Sequence, residues 1–171
     1  MRDLSGIWPV VPDWKSAEHA ANGIRVQSLA GLAQHLVSGN LDGFAAASGL
    51  NTGSSALSTV EGDRYALRMA RDRMLVINGG AAHLDAGWHE GGYAVTDISA
   101  AMHVFEIEGD GIPALLQEAL VVDPDNAGPA ASVMFAGQVA TLYYHGSREK
   151  LRLHVERGFA SFIWSWLEAR I

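Results

Sequence analysis

The chain has no cysteine. Disulfides, thiolate nucleophiles and cysteine-ligated zinc or iron–sulfur centres are therefore excluded together. No apolar run approaches the ~18 residues of a membrane-spanning helix, so no membrane association is expected. The first twenty residues, MRDLSGIWPVVPDWKSAEHA, lack the basic start, continuous apolar core and small-residue cleavage site of a secretory leader, and the expected compartment is the cytoplasm. Cations are few: 12 Lys and Arg stand against 19 Asp and Glu, for a formal charge of −7. That balance disfavours a phosphate backbone, and nucleic acid is not an expected partner. Also missing are GxGxxG, GxxxxGK[ST] and GxSxG spacings, so neither a nucleotide cradle nor a hydrolase elbow has a candidate.

What is present is the composition of a folded body. Of 171 residues, 49% are hydrophobic, enough for one domain with a good core or two small lobes packed together. Residues 1–22 show no sustained period and hold Pro9 and Pro12, which reads as an irregular N-terminal arm. From Gly23 a pattern begins that later recurs. Residues 29–37 read as a strand, Asn40 as a cap, 41–48 as a short helix and Gly49 as its stop. Strands are expected over 56–60, turning through Glu61-Gly62-Asp63 into 64–70, and again over 74–77. Residues 81–92 are expected to form a helical turn or short helix.

The second pass starts at Tyr93. Its strand alternates clearly from Met102, with His103, Phe105 and Ile107 on one face and Val104, Glu106 and Glu108 on the other; the two carboxylates read as the solvated side of a half-buried strand, the alternative being a pair whose mutual repulsion suits one of them to acid/base work. After Gly109, Asp110 is placed to cap a helix, Pro113 sits in its first turn, and Ile112, Leu115, Leu116, Ala119 and Leu120 form its apolar stripe. Strands over 132–136, 139–145 and 151–155 follow. The closing helix, 159–171, is expected to bury Phe159, Phe162, Ile163, Trp166 and Leu167, with Trp164 pointing away. Strand, helix, strand, strand, helix is thus read twice. The expected fold is α+β, two ferredoxin-like (split β-α-β) halves with antiparallel sheets, divided as an arm over 1–22, a first half over 23–92 and a second over 93–171.

Candidate chemistry is sparse. The seven histidines form no pair at a usual ligand spacing on one element, so no metal site is expected; His35 and His103 read as partly buried strand residues, each with a hydrogen-bond partner. Asp97 and Ser99 read as a turn that hydrogen-bonds its own backbone. Trp8, Trp14, Trp88 and Trp164 exceed what a small core needs and are candidates for a protein–protein interface.

Asp97-Ile98-Ser99, the alternating strand ending in Gly109 and the Leu115-Leu116 helix together resemble the signature of the aminomethyltransferase (glycine-cleavage T-protein) folate-binding superfamily. Within it, the chain is most similar to the gamma subunit of heterotetrameric sarcosine oxidase, from about Gly23 to the aromatic C-terminal helix. The resemblance implies the same fold of two ferredoxin-like halves. It implies an accessory chain docked on larger subunits, in a complex that demethylates sarcosine oxidatively and passes the one-carbon unit to tetrahydrofolate. FAD, FMN, NAD and tetrahydrofolate would belong to those subunits, and no cofactor to this chain. Active relatives bind the folate ring with an aspartate near the strand pair after the Leu-Leu helix, whereas residues 126–148 here contain no Asp or Glu. A carboxylate that pairs pterin nitrogens cannot become Ala or Val without leaving polar groups unpaired. No catalytic residue is therefore carried over. A stand-alone folate-dependent aminomethyltransferase or methyltransferase, or a folate-binding protein, is the alternative. The chain is also trimmed around 78–92 relative to that family.

Overall fold

The computed structural model describes residues 10–50, 53–79 and 84–171. Among them lie strands β1 (Glu18–Ala21), β2 (Ile24–Ser28), β3 (Gln34–Gly39), β4 (Thr59–Val60), β5 (Tyr65–Ala70) and β6 (Arg73–Ile77). Then come β7 (Gly87–His89), β8 (Tyr93–Asp97), β9 (Met102–Gly109), β10 (Ser132–Phe135), β11 (Gln138–His145) and β12 (Ser147–Glu156). The helices are α1 (Leu41–Ser48), α2 (Ile112–Ala119) and α3 (Ala160–Glu168).

Two antiparallel-dominated sheets result. The larger has the order β1-β2-β9-β12-β11-β10, with β4 added in parallel on β11; the smaller has the order β5-β6-β3-β8-β7. Each contains the ferredoxin-like sequence of strands: β2-β9-β12-β11 in one and β8-β3-β6-β5 in the other, with the first helix of each unit crossing from β9 or β3. The α+β expectation holds, with one feature that no linear reading contains. The hairpin β1-β2 pairs with β9 of the later half, and the hairpin β7-β8 pairs with β3 of the earlier half. The halves exchange their fourth strands, so β1 starts within 1–22, β2 belongs to the sheet of 93–171, and β8 belongs to the sheet of 23–92.

The exchange is seated by glycine. Gly39, ending β3 at φ +108°, lies where a Cβ would meet the Gly92 carbonyl; Gly109, ending β9 at φ +130°, lies where a Cβ would meet the Gly23 carbonyl. Both positions need a backbone region that L side chains avoid and a close approach that only hydrogen permits. The two halves thus solve the same contact in the same way, four glycines for two crossings.

Local signals explain most helices. Asn40 accepts from the Gly43 N–H at 3.1 Å, and Gly49 closes α1 in the left-handed conformation at φ 66°. α2 departs from expectation: its cap is Gly111, no side chain caps it, and the Asp110 carboxylate lies instead against Gly23. Pro113 in the first turn supplies the preorganised start. Three stretches need correction. Residues 29–33 are a loop, and β3 begins only at Gln34; residues 56–60 yield just β4, which pairs with β11 and not with β5. Of the helical turn or short helix expected over 81–92, residues 81–83 lie outside the described residues and Leu84 is in a 3-10 turn; residues 85–92 are not helical, because Gly87 and Gly92 take φ +130° and +82° to build the β7-β8 hairpin.

Helices α2 and α3 cover one face of the larger sheet, over Phe105, Ile107, Leu142, Leu151 and Leu153. α1 covers the outer face of the smaller sheet through Leu41 and Phe44. The inner faces of both sheets meet at Tyr65, Leu67, Leu75, Ile77 and Tyr143. α3 follows a 3-10 turn over Arg157–Phe159 and buries Ala160, Ile163, Trp164 and Leu167. Ile163 and Leu167 are buried as expected, but the stripe is rotated: Trp164 is 5% exposed, while Phe159 and Phe162 are 41% and 48% exposed. The helix is apolar nearly all round, so periodicity admits two stripes, and Trp14 from the arm, 6.0 Å from Trp164, selects the second.

Gly109→Ala is expected to lower the unfolding free energy by about 2–4 kcal/mol, from backbone strain plus the clash with Gly23. Gly137→Ala, in an open hairpin turn at φ +80° with nothing near its Cβ position, is expected to cost only about 1 kcal/mol. Urea midpoints of the two variants check this, and equal losses would refute a seating role for Gly109.

Candidate functional site

The inner face of the larger sheet is unusually polar. Register places Gln27 opposite Glu106, Glu106 opposite Arg152, and Arg152 opposite Tyr143, so four strands contribute one continuous row. The next row joins Arg25, Glu108 and Lys150. Across-strand alternation forces these side chains toward the second sheet, since their neighbours Ile107, Leu151, Leu153 and Leu142 face the helices.

Glu106 is therefore not on a solvated face. It is 4% exposed, accepting from Arg152 Nε at 2.9 Å and from Gln27 Nε2 at 2.9 Å, with Lys150 Nζ at 3.6 Å. The strand pattern misled because both faces of β9 are covered, one by helices and one by the other sheet. Burial works to raise the Glu106 carboxyl, but the Arg152 hydrogen bond and charge, with help from Lys150 and Gln27, hold it below its ordinary value.

From Arg152 the row continues as a relay between sheets. Arg152 Nη1 donates to the Tyr65 hydroxyl at 2.8 Å. Tyr65 and Tyr143 hydroxyls are 2.8 Å apart, Tyr143 reaches His154 Nε2 at 2.7 Å, and His154 Nδ1 reaches Gln34 Oε1 at 2.7 Å. Only one proton arrangement satisfies every member. Because Gln34 Oε1 can only accept, His154 carries its proton on Nδ1; its bare Nε2 accepts from Tyr143, and Tyr143 accepts from Tyr65. A protonated His154 would turn Tyr143 around and leave the Tyr65 proton without an acceptor. Burial, aided by the charge of Arg152, accordingly lowers His154 to about 3, and burial foremost raises both phenols.

The relay's far end explains the Asp97-Ile98-Ser99 motif. Ser99 Oγ and N–H both donate to Asp97 Oδ1, at 2.6 and 2.9 Å, and the Gln34 N–H donates to Ser99 Oγ at 2.9 Å. The turn reading holds, and the turn fixes the strand start that presents Gln34 to His154. Those hydrogen bonds hold Asp97 below the ordinary carboxyl range.

Two cavities flank this seam. One, of about 370 Å3, opens between the sheets and is lined mainly by apolar side chains including Leu36, Met69, Ile98 and Val139, with His154 on its wall. The other, of about 210 Å3, lies beside the links between sheets and is lined by Trp14, Lys15, His103 and Arg157 among others. Neither is lined by Glu106. His103 meets Ser28 Oγ at 3.2 Å, as expected, and burial followed by the charge of Arg157 lowers it to about 4. His35 departs from expectation, because its buried Nδ1 has no hydrogen-bond partner among the described residues. Among the described residues no group of His, Asp and Glu could hold a metal ion. No described helix is long and apolar enough to cross a membrane.

The interface candidates separate. Trp8 lies outside the described residues. Trp14 is half-buried, with its ring 4.5 Å from His103 and 5.9 Å from Phe105, and Trp164 is buried beneath it. Both are thus occupied within the chain, which removes Trp164 from the surface. Trp88, on the edge strand β7, is 73% exposed. Sequence reasoning missed the Tyr65–Tyr143–His154 relay entirely; its only linear trace is polar residues at alternate positions of β11 and β12, interleaved with Leu142, Leu151 and Leu153.

No known protein family matches the sequence, and no curated protein matches it. Among solved structures the fold is similar to a chain of the heterotetrameric sarcosine oxidase from Corynebacterium sp. U-96, solved in complex with pyrrole 2-carboxylate. The TM-score is 0.69 at 20% identity, over 89% of this chain and 86% of that one. The mixed α+β fold with two antiparallel sheets is thus a sarcosine-oxidase-related fold.

Two expectations follow from the seam. His154 titrates below its unfolded value, so its contribution to stability is complete above pH 6.5 and is lost as pH falls toward 3; the wild-type slope includes about 1 kcal/mol per pH unit from this group. Urea unfolding between pH 6.5 and 5 is expected to show that slope, reduced in His154→Gln, and an unchanged slope in the variant would contradict a neutral buried imidazole. Glu106→Ala leaves Arg152 buried without its partner and is expected to cost about 3–5 kcal/mol, against about 1–3 kcal/mol for Tyr143→Phe.

Proposed function

We propose that this chain is a non-catalytic, gamma-like subunit of a sarcosine-oxidase-type hetero-oligomer, contributing shape and stability to subunits that carry the chemistry. The observation that carries this reading is the similarity, over 86% of its length, to a chain of a heterotetrameric sarcosine oxidase. The site chemistry supports it. A general acid or base working near neutral pH needs a group that titrates there. The seam instead holds His154 neutral, both phenols protonated and Glu106 ionised and bound on both oxygens. In this reading FAD, FMN, NAD and tetrahydrofolate stay with the partner subunits, and the reaction served is oxidative demethylation of sarcosine with transfer of the one-carbon unit to tetrahydrofolate.

Apolar side chains left outside the core supply the contact. Trp88 on β7 and Val139 on β11, 73% and 65% exposed, are large apolar groups of the kind that anchor protein interfaces. The alternative, a folate-dependent transferase acting alone, draws its support from the apolar cavity between the sheets.

Co-expression with the products of neighbouring reading frames, followed by size-exclusion chromatography, is expected to give a larger co-eluting species, weakened at least about tenfold by Trp88→Ala. The isolated chain is expected to give no heat with tetrahydrofolate. Elution alone in every mixture, combined with calorimetric binding of tetrahydrofolate, would replace the subunit reading with the alternative.

A further inference from the structure

The cavity beside the links between sheets differs from the rest of the surface. Its walls come from the loop 29–33 that carries the chain from β2 to β3, the turn 98–101 that carries it from β8 to β9, the arm at Trp14 and Lys15, and Arg157 just after β12. In a chain with 19 carboxylates and a net charge of −7, this lining holds two cations and no Asp or Glu. Neither Arg157 nor Lys15 makes a side-chain hydrogen bond or ion pair among the described residues, whereas Arg25, Lys150, Arg152 and Arg170 are all paired. Burial first and then the charge of Arg157 keep His103 neutral, and the exposed Arg157 guanidinium is open to an anion.

The loop adds donors. Leu29 N–H bonds Val104, Ala33 N–H bonds Asn78 and Gln34 N–H bonds Ser99. The three N–H groups between them, on Ala30, Gly31 and Leu32, have no partner among the described residues, and Gly31 turns the loop at φ +86°. Consecutive amides without a partner among the described residues, in a loop that lines the cavity together with two cations, are donors available to an oxyanion. Trp14 closes one side with an apolar wall, and the volume of about 210 Å3 suits a small ligand.

From these features we infer that this cavity is a binding site for a small oxyanion, a phosphate monoester or a carboxylate, held by Arg157 and Lys15 and by the amides of Ala30, Gly31 and Leu32. Arg157 is the principal ligand, because its planar fork can grip two oxygens of either group. The site goes beyond the subunit reading and stands without it, since every contributing residue belongs to this chain.

The experiment titrates the isotope-labelled full chain with inorganic phosphate and, separately, with acetate, each at constant ionic strength set with sodium chloride. Saturable shifts of the Ala30, Gly31 and Leu32 amides are expected with at least one of the two anions. The His103 imidazole is also expected to titrate at higher pH in the loaded protein, since the anion offsets Arg157. Tighter phosphate would identify the phosphate ester as the ligand class, and tighter acetate the carboxylate. Arg157→Gln is expected to weaken binding about tenfold, while Arg148→Gln, at the start of β12, leaves it unchanged. Both positions are exposed, and dispersed spectra of each variant establish that it folds. No saturable shift with either anion, or equal affinity in wild type and Arg157→Gln, would overturn the inference.

Discussion

The Glu106–Arg152 ion pair, extended through Tyr65, Tyr143 and His154 to Gln34, is the constraint on which the docking of the two sheets depends. Apolar side chains on two facing sheets can slide past one another at modest cost, since burial is non-directional. A largely buried guanidinium cannot, because a donor withdrawn from water must find its acceptor or its desolvation stands uncompensated. Arg152 belongs to one sheet and Tyr65 to the other, so a single relative placement satisfies it. Ion pairs of this kind add little to net stability but select one geometry among many. The neutral relay beyond it has the same property, since one ordering of protons fills every site and every other ordering strands one.

That requirement joins the two halves into a single cooperative unit together with the strand exchange. β2 completes the later sheet and β8 the earlier one, and the loops that carry them across, 29–33 and 98–101, run side by side. Neither half has a closed sheet without the other. Gly39 against Gly92 and Gly109 against Gly23 repeat the same crossing contact, so the duplication is visible in backbone geometry even where the two halves share no side chains. The Asp97–Ser99 turn sits at one of these crossings and orders Gln34, linking the exchange directly to the relay.

Local chemistry was legible in the sequence where it acts over a few residues. Asn40 and Gly49 bound α1 as their side-chain properties require, and the stripe from Ile112 to Ala119 is buried as its period demands. Helix-poor, glycine-rich 84–92 was misread because a turn needing positive φ and a weak helix share a composition. Glu106 was misread for a different reason: alternation reports that one face of a strand differs from the other, and does not report what covers the second face. Trp164 failed on a third ground, since a helix apolar all round has no unique stripe until another segment, here Trp14, chooses one. The relay residues are far apart in the chain and meet only through register, which no local pattern encodes.

A group that is fully satisfied in the folded state has nothing left to offer a ligand, and this divides the molecule's polar residues into two kinds. Glu106, both tyrosines and His154 are engaged with one another or with Gln27 and Gln34, and Arg152 is engaged through Nε and Nη1, so any substrate in the seam would first have to break a bond in a low-dielectric interior, at a cost of a few kcal/mol. Among the described residues the side chains of Arg157 and Lys15 and the amides of Ala30, Gly31 and Leu32 have no partner, and Trp88 and Val139 are exposed. Recognition by this fold therefore belongs at the crossing loops and the sheet edges. The polar interior that first looks like an active site holds the shape those surfaces require.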